Sequence, residues 1–499
     1  MRAWDVPVSL DPSSGTPLFL QISRALAADI RRGRLKPGEA LPGSRSLAGL
    51  LAVNRNTVVA AYRELVAEGW ARTLAASRTV VSDALPDPKP RRFSRDAEPR
   101  TAVPSRVGFE LNECPPAPHG IASGVALPMG GGTPDVRLVP AAALARAYRR
   151  ALLQKGRRWS SVLDYGDERG HHRLRVALAQ MLSSLRGLAA GPESILVTRG
   201  SQGALDLVAR ALIRPGDAVA VEELGYQPAW HALRLAGATL YPVPVDAGGL
   251  RVDVLAELAD RVKLRAAYVT PHHQYPSMAV LQPGRRLALL ELARQKRIAI
   301  LEDDYDHEFH YEGRPVLPLA SVDAAGVVIY IGSLSKLLAP GLRIGFTVAP
   351  EPLLRQLAIY RTYADRQGDL AVEAAVAELI EDGELQRHAR RAREIYRGRR
   401  DALCAALVER LGDRIELTPP RGGLALWART RCDPEAWAAQ ALKARVAISP
   451  GRRFTWEGRK IPFARIGFAA LDERELRAAA ALLAEAWPAS RLKSGRGAA

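Results

Sequence analysis

The sequence predicts a multi-domain chain: a small helical domain closed by a hairpin, then a large α/β domain built on a largely parallel sheet. Three observations predict it. The 499 residues exceed what one hydrophobic core organises. A Pro-rich, charged stretch, containing DALPDPKPRRFSRDAEPR and CPPAPHG, interrupts the apolar patterning between Asp83 and Gly124. On its N-terminal side the apolar period is helical; on its C-terminal side short β-rich runs alternate with helices. The expected domains are therefore 1–82 and 125–499, joined by a linker over 83–124.

In the first domain, PLFLQISRALAADIRRG places Phe19, Ile22, Leu26 and Ile30 on one helical face, with Pro17 at the start and Gly33 at the stop. The turn-rich KPGEALP follows. SRSLAGLLA opens a second helix with Ser44 as a plausible N-cap. NRNTVVAAYRELVAEG is a third, presenting Val58, Tyr62, Leu65 and Val66 and ending at Gly69. WARTLAASRTVVSD alternates enough for two short strands. In the second domain the strand candidates are 194–198, 217–223, 239–245, 265–271, 297–304 and 327–333, most of them separated by helical segments. That rhythm calls for helices on both faces of the sheet and a ligand site at the carboxyl ends of its strands.

Composition narrows the function class. Hydrophobic residues make up 47% and charged residues 25%, as in soluble globular proteins. No apolar run approaches a membrane span, and MRAWDVPVSLDPSSG lacks the apolar core of a signal peptide, so a cytoplasmic protein is expected. Cys114, Cys404 and Cys432 lie far apart and suggest neither a disulfide framework nor a metal motif. The net charge is +18, which favours polyanionic partners. Residues 1–82 carry 11 basic and 6 acidic side chains, per residue nearly twice the basic excess of 125–499, with 54 and 41.

Two short helices joined by a tight turn form a helix-turn-helix, whose second helix lays its first residues against base edges in the major groove. Here that terminus is Asn54-Arg55-Asn56-Thr57. Arg55 can fork to guanine and Asn56 can pair with adenine. Thr57 can bond phosphate or touch a thymine methyl, and Arg45 is placed for a base or a phosphate. The run LPGSRSLAGLLAVNRNTVVAAYRELVAEGW resembles the GntR-type winged helix domain, which implies double-stranded DNA as partner. The wing departs from that pattern: AASRTVV, around Ser77-Arg78, has no glycine in its turn.

The large domain carries a second constellation. VVIYIGSLSKLLAPGLRIGF runs from a strand into Ser333, Ser335 and Lys336, with Arg343 following. ILVTRGSQGALDLVARAL ends a strand at Thr198 and opens a helix at Gly200-Ser201-Gln202, a backbone cradle for phosphate. ILEDDYDHEF sets Asp303 at a strand end, with Tyr305 on the same side. Tyr226 lies in VEELGYQPAW, and His273 and Gln274 follow another strand. Together these residues offer what pyridoxal phosphate needs: an amine for a Schiff base, an acid for the ring nitrogen, phosphate donors and a flat ring partner.

The ordered set GSQ, GY, TPHHQYP, EDDYD, SLSK and LRIGF resembles the fold-type-I aminotransferase domain, in the form fused to a GntR-type helix-turn-helix. That is the MocR/GabR regulator family, and the resemblance spans nearly the whole chain. It implies a pyridoxal-phosphate-dependent transferase fold with Lys336 as the Schiff-base lysine, Asp303 at the pyridine nitrogen, and Arg343 on the phosphate. It implies Arg465, in ARIGFA, for an effector carboxylate, and Tyr165 reaching the phosphate of the partner subunit in a homodimer. Ser277-Met278 and Pro228 depart from the family pattern and bear on which effector fits. The seven arginines between Gln386 and Arg400 read first as a solvated helix face, and second as a guide for DNA. Three functions stay open at this point. They are a transcription regulator sensing an amino compound, a working aminotransferase with an accessory DNA-binding domain, and a regulator responding to pyridoxal phosphate itself.

Overall fold

The computed structural model describes residues 8–74, 78–85, 106–111, 114, 124–154 and 162–488. The chain forms two compact units, residues 1–112 and 113–499. The division falls inside the segment read as a linker, most of which lies outside the described residues, as does the wing turn at 75–77.

The first unit contains α1 (Leu18–Arg31), α2 (Ser44–Leu50), α3 (Arg55–Ala67) and the antiparallel hairpin β1 (Ala71–Leu74) and β2 (Arg78–Val81). Its core is Ile22, Leu26 and Ile30 from α1, Leu47 from α2, Val58, Ala61, Tyr62 and Leu65 from α3, and Ala71 and Val81 from the hairpin. Two sequence expectations are corrected. Val66 is exposed, because the inward stripe of α3 runs 58, 61, 62, 65, the i, i+3, i+4, i+7 pattern, and Ala61 takes the fourth place. Ser44 is the first residue of α2 rather than its cap; Gly43 precedes the helix and no side chain caps it.

The second unit begins with β3 (Leu127–Pro128), α4 (Ala141–Leu153) and α5 (His172–Arg186). The main sheet and its crossovers follow: β4 (Ile195–Thr198), α6 (Gly200–Leu212), β5 (Ala218–Glu222), α7 (Gln227–Leu235), β6 (Thr239–Val243), the small hairpin β7 (Val245–Asp246) and β8 (Gly249–Leu250), α8 (Val252–Arg261), β9 (Leu264–Val269), α9 (Pro283–Lys296), β10 (Ala299–Asp304), β11 (Val328–Ser333) and β12 (Gly345–Val348). Then come α10 (Glu351–Ala364), α11 (Leu370–Glu381), α12 (Glu384–Leu411), β13 (Ile415–Glu416), β14 (Ala425–Thr430), α13 (Pro434–Lys443), β15 (Val446–Ala447), β16 (Ser449–Pro450), β17 (Phe463–Gly467) and α14 (Glu473–Glu485).

Seven strands form the main sheet in the order β4-β12-β11-β10-β9-β5-β6. Only β12, absent from the strand candidates, runs antiparallel to its neighbours. Both faces are buried. Val219, Val221 and Leu301 point into a core with α6, α7 and α10, while Ala218, Ala220 and Ile300 point into another with α8 and α9, the two-residue alternation of a strand. A second sheet, β13-β14-β17-β16, is antiparallel and was not foreseen. The arginine-rich stretch lies in α12. Arg387, Arg390, Arg391 and Arg397 are exposed, but Arg399 and Arg400 are buried, Arg399 against Asp135 at 2.9 Å. The solvated-face reading therefore holds for part of the run only. Among the described residues no helix is long and apolar enough to cross a membrane.

β12 touches the start of α6 at closest range through Gly345, where an added Cβ would stand 2.5 Å from the Gly200 carbonyl carbon and 2.9 Å from the Ser201 nitrogen. Backbone cannot yield as a side-chain tip does. Gly345→Ala is expected to destabilise the second unit by about 1–3 kcal/mol, the range for overpacking. Gly341→Ala, with open space around its Cβ, serves as the control. Denaturant midpoints of the two variants check this; equal midpoints would refute the tight approach.

Candidate functional site

The sites of both units follow from where elements end. In the first, Asn54 caps α3 by accepting from the Asn56 N–H at 2.8 Å, so its side chain is spent on the helix. Arg45, Arg55 and Asn56 are exposed and Thr57 is half-buried. Arg55 Nε donates to Ser44 Oγ at 3.2 Å, which tethers the guanidinium beside the start of α2. The Tyr62 hydroxyl donates to the Pro42 carbonyl at 2.8 Å, tying α3 to the segment that leads into α2. The helix start expected to face bases is thus braced from behind and open in front.

In the second unit, the carboxyl ends of β4, β5, β9, β10 and β11 converge. A cavity of about 140 Å³ there is lined by Lys336, Asp303, Tyr305, Tyr226, Ser201 and Arg465. Tyr268, Thr270, Tyr275, Leu424 and the Gly131–Thr133 loop complete its wall. Sequence reasoning missed these. Tyr268 and Thr270 sit in or just after β9, and Tyr275 lies in the very motif that drew attention to its neighbours. His273 and Gln274, expected to line the cleft, are instead turned into the protein. His273 Nδ1 lies 2.7 Å from Asp306, and Gln274 Nε2 donates to Glu222 and to the carbonyls of Leu224 and Tyr275.

Each lining group has a definite state. Asp303 is buried; its Oδ2 accepts from the Tyr268 hydroxyl at 2.8 Å and its Oδ1 has no partner. Burial raises its pKa to about 7, opposed by the Tyr268 bond and reinforced by Asp304 and Asp306. The Tyr305 hydroxyl donates to the His273 carbonyl at 3.0 Å. Tyr226 meets Tyr275 edge-on at 5.4 Å, and burial raises its phenol to about 12. Lys336 is lowered from 10.5 to about 8, first by burial and then by the Arg465 cation. Arg465, in β17, is 1% exposed. It donates to the Pro276 carbonyl at 2.8 Å and lies 4.5 Å above the Tyr275 ring. Its Nε is buried without a partner, and among the described residues it forms no ion pair.

At one side of the cavity, Gly200 starts α6 with φ +71°, a conformation costly for other residues. Arg343 packs on it and donates to the Arg199 carbonyl at 3.0 Å. Ser333 Oγ accepts from the Ser335 N–H at 3.1 Å, while Ser335 Oγ is buried and unpartnered. Gln202 Nε2 donates to the Pro228 carbonyl at 3.1 Å and its Oε1 is also unpartnered. Tyr165 lies elsewhere: it is 72% exposed, with Arg366 4.2 Å over its ring. Behind the cavity, Asp304 accepts from Tyr330 at 2.7 Å, lies 2.8 Å from His307, and faces the buried Arg186.

A winged helix-turn-helix in the first unit, and in the second a lysine and an acid at the strand ends of this fold, define a regulator built on an aminotransferase-like domain. Residues 129–483 match the family described as aminotransferase class I and II, and residues 18–84 the gntR family of bacterial regulatory proteins. The probable rhizopine catabolism regulatory protein MocR of Rhizobium meliloti is 34% identical, over 94% of this chain and 93% of that protein. The pyridoxine biosynthesis transcriptional regulator PdxR of Corynebacterium glutamicum is 31% identical over 95% and 96%. A solved structure of the α-aminoadipate aminotransferase LysN of Thermus thermophilus superposes with a TM-score of 0.67 at 30% identity, covering 73% of this chain and 92% of that one. The chain belongs to the MocR family of transcription regulators, a gntR-type DNA-binding domain joined to a class I and II aminotransferase domain. It is a DNA-binding regulator of transcription, and its larger domain has the fold of pyridoxal-phosphate-dependent enzymes.

The depressed Lys336 pKa has a testable sign. Only the neutral amine attacks an aldehyde, and burial and Arg465 both disfavour the charged form. Reaction of the Lys336 amine with an added aldehyde is expected to rise with pH through a midpoint of about 8. Arg465→Ala removes a repelling cation and should move that midpoint upward. Stopped-flow absorbance against pH measures both; a midpoint that stays put in Arg465→Ala refutes the electrostatic link.

Proposed function

We propose that this regulator holds pyridoxal phosphate in the strand-end cavity and uses it to sense a small amino compound. The observation that carries the reading is the meeting, in one cavity, of a half-buried amine at Lys336, a buried acid at Asp303 with a free oxygen, and a buried guanidinium at Arg465 with no acid partner. A buried cation without an anion is costly unless a ligand supplies one, and a carboxylate-bearing effector does so.

The residues fit the cofactor. Asp303 Oδ1 is free for a protonated ring nitrogen. The α6 N-terminus at Ser201 and Gln202, with Ser333, Ser335 and Arg343 near it, offers donors to a phosphate. Tyr226 supplies a flat face and Tyr305 a hydroxyl. Bound there, pyridoxal phosphate would supply an aldehyde that captures amines reversibly. Lys336 would anchor it and give way to an incoming amine, and Arg465 would orient the effector by its carboxylate. Tyr165, exposed on its own chain, is assigned to the cofactor phosphate of a partner subunit in a homodimer. Arg45, Arg55, Asn56 and Thr57 contact the operator. The two relatives are named for rhizopine catabolism and for pyridoxine biosynthesis, so kinship does not fix the effector.

The deciding experiment is an operator-binding titration at fixed salt, with pyridoxal phosphate and a panel of amino compounds. Wild type should respond to at least one compound. Lys336→Ala and Arg465→Ala should bind operator yet lose the response. No response in wild type, together with rapid turnover of an amino acid and a keto acid, would establish the enzyme reading instead. Arg55→Ala should weaken specific operator binding by about 1–3 kcal/mol and leave the cofactor absorbance unchanged. Undiminished operator affinity in this variant removes Arg55 from base contact.

A further inference from the structure

The Asp303 carboxylate is held by a residue with no place in the sequence reading. Tyr268 lies in β9, beside β10, with Leu301 as its register partner. It is 1% exposed, its hydroxyl donates to Asp303 Oδ2 at 2.8 Å, and its ring forms part of the cavity wall. The other oxygen, Oδ1, is buried without a partner. The two carboxylate oxygens are therefore unlike: one is gripped from the protein side and one is open. A carboxylate turns about its Cβ–Cγ bond unless something fixes its plane, and a phenol at this distance fixes it.

The same hydrogen bond favours the charged carboxylate. The other groups facing Asp303 do not bond to it: Lys336 and Arg465 line the same cavity, but Oδ1 stays without a partner. Asp304, on the same strand, and Asp306, just beyond it, oppose its charge, and Glu222, at the end of β5, is another acid. Tyr226 and Tyr305 are neutral phenols that do not bond to it. We propose that Tyr268 is a positioning residue for the cofactor: its hydroxyl orients Asp303 and keeps it charged, so that Oδ1 meets the ring nitrogen of pyridoxal phosphate. This rests on the assignment of the cofactor to the cavity.

The test is the dissociation constant of pyridoxal phosphate for the full chain, from absorbance titrations at about pH 6 and about pH 8.5, on either side of the acid's midpoint. Wild type, Tyr268→Phe, Asp303→Asn and the double variant are compared. Tyr268→Phe keeps the ring and its packing. It should bind about tenfold more weakly near pH 6, the loss of a hydrogen bond to a charged group, and lose less near pH 8.5, where the carboxylate ionises unaided. In the Asp303→Asn background the same change should cost nothing further. Structural damage alone would weaken both backgrounds equally and at both pH values; that result, or no change in Tyr268→Phe at all, overturns the proposal. A wild type that binds no pyridoxal phosphate overturns the cofactor assignment and the proposal with it.

Discussion

A carboxylate taken out of water must be stabilised by donors or cations, and the carboxyl edge of the main sheet buries several of them, among them Glu222, Glu302, Asp303, Asp304 and Asp306. The surrounding architecture is arranged to meet that demand. Glu302 accepts from the N–H groups of Leu319 and Ala320, and Glu222 from Thr270 and Gln274. Asp304 faces Arg186 and His307, and Asp306 lies against His273. Asp303 differs in that it opens on the cavity, and among the described residues its one hydrogen-bond partner is a neutral phenol. His273, expected at the cleft, is thereby explained, since its ring serves the acid behind it.

The cavity holds the mirror image of that deficit. Among the described residues Arg465 is a buried cation with no acid partner, contacted by the Pro276 carbonyl and the face of Tyr275. A cation–π contact and one carbonyl bond are worth less than an ion pair in such a place. Lys336, under the influence of Arg465, sheds its proton more readily than a free lysine. One electrostatic arrangement thus brings an amine that gives up its proton more readily than a free lysine, an open acid and an unpaired guanidinium within a few side chains of each other. A ligand carrying an amine and a carboxylate complements it better than one carrying either alone.

Much of this was legible in the sequence because it is local. Six strands announced themselves by β-rich runs, and the strand-end motifs put Lys336, Asp303 and the α6 start where the sheet needs them. Helix α3 was legible too, apart from Val66, where a one-residue rotation of the face moved a valine into solvent. What was hidden is what depends on neighbours far along the chain. Tyr268 reads as an ordinary strand aromatic until β10 is laid beside β9. Tyr275 reads as a motif residue until Arg465, 190 positions on, arrives over its ring. Strand β12 is four residues long and only a short 3-10 turn at Pro340–Leu342 separates it from β11, so it lacked the rhythm that marked its neighbours. Ser44 resembled a cap because its residue type suits one, but Gly43 holds the boundary and the serine hydroxyl receives Arg55.

The position of the two key cations says how binding becomes a signal. Lys336 follows β11 in the main sheet, whereas Arg465 belongs to β17 in the second sheet, paired with β14 and β16. The Gly131–Thr133 loop is fastened to β17, since the Gly467 N–H donates to the Met129 carbonyl at 2.7 Å. In the sensing mode proposed above, an effector whose amine takes the place of Lys336 and whose carboxylate meets Arg465 would touch two sheets with separate hydrogen-bond ladders. Its binding energy can depend on how those sheets stand to each other, which is the condition for a ligand to shift a conformational equilibrium; equal affinity for both arrangements would shift nothing. A ligand contacting only one sheet would have little means of telling the arrangements apart. Under the sensing role proposed above, this division between two sheets would let a bound amino acid act as a strut, its binding energy biasing the state of the domain that carries it.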